Sequence, residues 1–159
     1  MSDSTESENV EFKIVLDSNW HNEPPKYEIL LNDEVIEYGE VTEKESNDEE
    51  KVITFTRDLN EGEHVLKIRL LDKKSKHTMV DENGNILADQ LLNIKQIEID
   101  EIELDYLFYS IGKYHKQTSA KPLTFDDNPL PESYKNLGYN GEWRLTFNVP
   151  TYMWFLENL

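Results

Sequence analysis

The chain has 159 residues, enough for one domain with its own hydrophobic core, and it contains no cysteine, so disulfides, thiolate metal sites and cysteine nucleophiles are excluded. With 33 acidic against 16 basic residues the formal net charge is -17, a field that repels nucleic-acid phosphates and anionic lipid surfaces. No signal-peptide pattern and no apolar run of the ~20 residues needed to span a bilayer occurs, so a soluble protein without membrane insertion is expected.

In chain order, residues 1–9 are almost wholly polar and read as a disordered acidic tail, with residues 10–159 forming a single domain. From Val10 a period-two alternation of apolar and polar residues recurs. It places Phe12, Ile14 and Leu16 on one face of a strand, then Tyr27, Ile29 and Leu31, then Ile53 and Phe55, then Leu66, Ile68 and Leu70. Turn residues separate the runs: "EPP" before Lys26, a tight hairpin at Asn32–Glu34, "NEGE" at 60–63 and "ENGN" at 82–85. The charged run "EKESNDEEK" (43–51) has no apolar residue and reads as a solvated loop.

Between Leu92 and Leu104 the apolar parity changes twice, from Leu92 and Ile94 to Ile97 and Ile99, then back to Ile102 and Leu104. A one-residue slip turns the core face outward unless the strand bulges, so irregularities are expected near Lys95-Gln96 and Asp100-Glu101. Residues 115–141 show little periodicity and three prolines and read as a long loop. A final alternation, Trp143, Leu145, Phe147 and Val149, precedes "PTYMWFLENL", where Pro150 opens a short helical or irregular segment. The expected fold is all-β: an antiparallel β-sandwich of jelly-roll or Greek-key type with that C-terminal segment.

Chemistry is sparse. "DENGNILAD" offers Asp81, Asn83, Asn85 and Asp89 to a calcium ion, but an EF-hand loop would put glycine where Ile86 stands, and the Asn83-Gly84 dipeptide is a strong hairpin signal. Four histidines lack zinc spacing, and nucleophile elbows and phosphate loops are missing, so a non-enzymatic protein is expected. Trp20, Tyr114 and Tyr139, with Tyr106, Tyr109 and Tyr134, could stack sugar rings or anchor an interface. Tyr152, Trp154 and Phe155 are too apolar to leave in water and would close the sandwich or dock on a partner protein, another copy of the chain included.

Three stretches, "DSNWHNEPPKYEILLNDEVIEYGEV", "EGEHVLKIRLLDK" with "ADQLLNIKQIEIDEIEL", and "NGEWRLTFNVPTYMWFLENL", together resemble calcium-dependent, xylan-binding carbohydrate-binding modules. They are most similar to the β-sandwich version in structural proteins of large tailed bacteriophages, as are "KHTMVDENGNILAD" and the C-terminal segment. The resemblance implies Ca2+ held by Asp72 and Asp89. It departs from the modules after Asp89, where Gln90-Leu91-Leu92 replaces Arg-Asn-Leu. It also implies a virion location, as a fibre, neck, tail or capsid-surface accessory domain, with other virion proteins or a host-surface glycan as partners. The alternative it implies is an autonomous calcium-dependent carbohydrate-binding module.

Overall fold

A computed structural model describes residues 6–104, 111–131 and 136–158. Tyr106, Tyr109 and Tyr134 lie outside them. The strands are β1 (Ser7–Asn19), β2 (Lys26–Leu31), β3 (Glu34–Glu40), β4 (Lys51–Asn60), β5 (Gly62–Leu71), β6 (Met79–Val80), β7 (Ile86–Ala88), β8 (Leu91–Ile99), β9 (Ile102–Glu103), β10 (Lys113–Ala120), β11 (Leu123–Phe125), β12 (Asn136–Leu137) and β13 (Gly141–Val149). An α-helix, α1 (Thr151–Glu157), follows β13.

The strands form a five-stranded sheet in the order β12-β8-β1-β4, with β9 folded onto β8, and a six-stranded sheet in the order β11-β10-β13-β5-β2-β3. β6 and β7 form a separate small hairpin. All these pairings are antiparallel. The chain alternates between the two sheets, which is the mark of a Greek-key sandwich. One crossing is very short: Glu61 alone joins β4 to β5, and Gly62 turns there with φ +126. The "NEGE" turn is thus a sheet-to-sheet corner.

The alternating positions meet between the sheets. Val10, Phe12, Ile14 and Leu16 of β1 and Leu92, Ile94, Ile97 and Ile99 of β8 are buried. They face a layer made from Tyr27, Ile29, Leu31, Leu66, Ile68, Leu70, Trp143, Leu145 and Phe147. Phe12 stacks on Phe55 at 4.7 Å within one sheet and meets the Phe147 ring of the other edge-on at 5.8 Å. At roughly 1.5–3 kcal/mol for each large apolar side chain removed from water, this layer dominates the stability of the fold.

One expectation is met and three are refined. The β1–β8 register slips between Val15 and Leu16, where Gln96 and then Ile94 are the partners, so Lys95 is the extra residue of the expected bulge. At Asp100-Glu101 the chain reverses instead of bulging. Both residues are left-handed, with φ 52 and 68, and Ile102 pairs back on Ile99. Residues 115–141 are not one loop, because most of β10 and all of β11 and β12 lie within them. At the other end, pairing of Ser7, Glu8 and Asn9 with Asn60, Leu59 and Asp58 carries β1 into the segment read as a tail.

Candidate functional site

The loop that leaves β5 begins at Asp72, left-handed with φ 58, and runs through Lys73 and Lys74 into a single 3-10 turn at Ser75–His77. The Asn140 side chain clamps this loop, accepting the Lys73 N–H at 2.8 Å and donating to the Lys73 carbonyl at 2.9 Å. Asn140 sits just ahead of Gly141, which pairs with Lys116 on β10. A Cβ at Gly141 would lie 2.6 Å from the His115 carbonyl oxygen, so only glycine lets β13 approach β10 there. Long-range pairing therefore brings Lys73, Lys116 and the 138–140 loop together.

These elements and the β7–β8 junction enclose a cleft of about 610 Å³, whose lining includes Lys73, Lys74, Asp89, Lys116, Tyr139 and Asn140. On its floor Asp89 Oδ1 receives the Lys73 ammonium at 2.7 Å, the Thr78 hydroxyl at 2.7 Å and the Gln90 N–H at 2.8 Å. The same ammonium donates to the Gly138 carbonyl at 2.6 Å. Burial works to raise the Asp89 carboxyl, but the bonds from Lys73, Thr78 and the Gln90 N–H together outweigh it and hold the group below the usual carboxylate range. Tyr139 is 55% exposed on the cleft wall, with the Lys116 ammonium 5.2 Å from its ring centroid.

A smaller cleft of about 330 Å³ adjoins the first and shares Asp89 and Leu91 with it. Trp20 lines it, half-buried, with the Lys44 ammonium 4.1 Å from its ring centroid. Trp20 and Tyr139 thus line two clefts that have Asp89 and Leu91 in common. Tyr114 does not contribute a face to either, because the ring is fully buried against the core. Trp154 and Phe155 are likewise buried, and the turn of α1 that buries them leaves Tyr152, Met153 and Leu156 outside.

The donor set at Asp72 and Asp89 does not suit a calcium ion. Asp72 is exposed, with Lys26 at 3.9 Å, and lines two clefts that do not include Asp89. Asp89 already has an ammonium where a cation would bind, and one oxygen of it carries three donors. The Asp81 carboxylate is turned inward as well, receiving the Asn83 N–H at 2.9 Å, the Asn85 N–H at 2.8 Å and the Asn85 amide at 3.1 Å. That segment is the Asn-Gly hairpin joining β6 to β7. No group of three or more His, Asp or Glu side chains able to hold a metal occurs among the described residues.

Lys73, Lys116 and Asn140 were not legible as site residues. Their only sequence signal is the Lys73-Lys74 pair directly after Asp72. Among the described residues no helix is long and apolar enough to cross a membrane.

No protein-family model matches the chain, and no curated protein matches it in sequence. Among solved structures it is similar to vCBM60 in complex with galactobiose, with a TM-score of 0.50 and 8% identity over 87% of this chain and 97% of that one. It is similar also to the selenomethionine form of vCBM60, with a TM-score of 0.50 and 7% identity over 86% of this chain and 89% of that one. The latter is described with a circular permutation linking two families of calcium-dependent carbohydrate binding modules. At these identities the likeness is one of fold, and the chain is an antiparallel β-sandwich built like these modules.

Proposed function

We propose that the protein is a non-enzymatic glycan-binding domain and that the cleft beside Tyr139 is its sugar site. The observation that carries this reading is the exposed Tyr139 ring lining one cleft with the polar groups of Lys73, Asp89 and Asn140. A sugar ring offers C–H faces to an aromatic surface and hydroxyls to charged and amide groups, and this cleft has both kinds of partner side by side. The fold shared with carbohydrate-binding modules supports the reading by analogy. Trp20, in the adjoining cleft, would extend the site by one further ring once Lys44 moves off its face.

The test is binding to a glycan array followed by titration calorimetry on the best ligand. Tyr139→Ala should weaken binding roughly tenfold, the worth of one stacked ring, with the melting temperature unmoved. Unchanged affinity in that variant, or an array with no hit, sinks the proposal.

A second reading concerns the setting. The exposed Tyr152, Met153 and Leu156 of α1 favour a protein contact, and the resemblance to tailed-phage structural proteins suggests other virion proteins as the partners. Under this reading the domain is a virion accessory that displays its sugar site toward a host-surface glycan. Tyr152→Ser with Leu156→Ser should then lower its incorporation into purified particles while leaving the fold intact. Absence of the protein from such particles would dispose of this setting without touching the sugar site.

A further inference from the structure

The cleft is a cationic exception on an acidic molecule. The whole chain carries a formal charge of -17, yet the charged residues lining this cleft are Lys73, Lys74, Lys116 and Asp89. Lys73 and Asp89 neutralise one another at 2.7 Å. Lys74 and Lys116 are exposed, and among the described residues neither forms an ion pair with a carboxylate. The Lys116 ammonium lies over the Tyr139 ring, 5.2 Å from its centroid, so a cation without a carboxylate partner and an aromatic ring lie within one sugar's reach. The remaining polar lining, Asn136, Asn140, Gln117, Ser75 and Thr78, is neutral and suits hydroxyl groups.

A neutral sugar would use the ring and the amides and offer the lysines only hydroxyl acceptors. A sugar bearing an acid would offer them a charge-assisted contact as well. We propose that this cleft takes a uronate-bearing saccharide, whose carboxylate draws Lys116 off the Tyr139 ring and is held by it and Lys74 while Tyr139 stacks the sugar, and that it needs no calcium because Lys73 already neutralises Asp89. The proposal rests on the glycan reading of the same cleft and adds the ligand's charge and the source of the cation. The molecule's overall negative field opposes the approach of such a ligand, so selectivity has to arise from charge-assisted contacts inside the cleft.

The experiment is titration calorimetry in chelator-treated buffer, with a panel of uronate-containing disaccharides and their neutral counterparts. The uronates should bind at least about tenfold more tightly, as one charge-assisted contact would give. Lys74→Gln with Lys116→Gln should erase that difference without moving the melting temperature, Tyr139→Ala should weaken both sugar classes, and added calcium should change none of these affinities. Equal binding of neutral and acidic sugars, unaffected by the lysine changes, overturns the acid-sugar proposal and leaves the sugar site standing. Binding that emerges only with calcium overturns the calcium-free part. Binding of neither class overturns the proposal and the glycan reading together.

Discussion

Asp89 and Lys73 show how a single residue's environment sets what a site can do. Because the Asp89 carboxyl is held below its ordinary range in the folded protein, its ionised form stabilises the fold above the unfolded-state pKa. That contribution is lost as pH falls through the lowered value. Asp89→Asn should therefore lower the melting temperature most near neutral pH, and the two proteins should converge in acid, which melts between about pH 7 and pH 3 would show. A constant gap across that range would mean that packing, not charge, holds the site. Lys73→Met removes the partner and leaves a largely covered carboxylate and the Gly138 carbonyl short of a donor, at a cost of about 1–3 kcal/mol in urea unfolding. Family resemblance led to Asp89, and Tyr139 was readable as an aromatic beside a loop. Lys73 was not readable, because its pairing depends on where the β5–β6 loop lands against residues 138–140, far along the chain.

At the scale of elements, legibility followed burial. Strands β1, β2, β5, β8 and β13 each send a row of apolar side chains into the layer between the sheets, so their alternation is written in the sequence. The β8 bulge could be placed for the same reason, since only an extra residue at Lys95 keeps both Ile94 and Ile97 inside. Strand β11 at a sheet edge and the outer half of β10 bury little, being held by main-chain pairing, and Lys116, Thr118 and Ala120 are all exposed. Such strands leave no apolar period to read. Asp100-Glu101 misled because a two-residue reversal and a bulge both flip parity, and the left-handed conformation that distinguishes them falls on residues other than glycine. The C-terminal helix is an element whose role can be tested directly. Trp154 packs on Phe147 at a centroid distance of 6.2 Å, and the Thr151 hydroxyl contacts the carboxylates of Asp100 and Glu8. Trp154→Ala should cost about 3–5 kcal/mol by equilibrium unfolding, a loss expected of a large buried aromatic. A loss below about 1 kcal/mol would show that α1 is an ornament of the sandwich and not its lid.

The whole molecule carries its charge at a cost. Thirty-three acidic side chains on 159 residues repel one another, and several of the ion pairs that offset this repulsion, such as Lys76 with Glu23 at 2.6 Å and Arg57 with Glu34 at 3.0 Å, lie at the surface. Surface pairs contribute little, about 0–1 kcal/mol each, and salt weakens them. Salt also screens the repulsion, over a Debye length of about 8 Å at physiological ionic strength. With acids in twofold excess, repulsive pairs outnumber attractive ones, so the net effect of screening is to stabilise. The melting temperature should therefore rise as sodium chloride is raised from about 10 mM to about 500 mM, with most of the gain reached once the Debye length falls below the spacing of neighbouring carboxylates. Choline chloride, with a cation too large to enter a carboxylate site, should give the same rise at equal ionic strength. A rise with sodium that choline does not reproduce would mean that specific cation sites, and not the diffuse charge of the surface, govern how this sandwich tolerates its acidity.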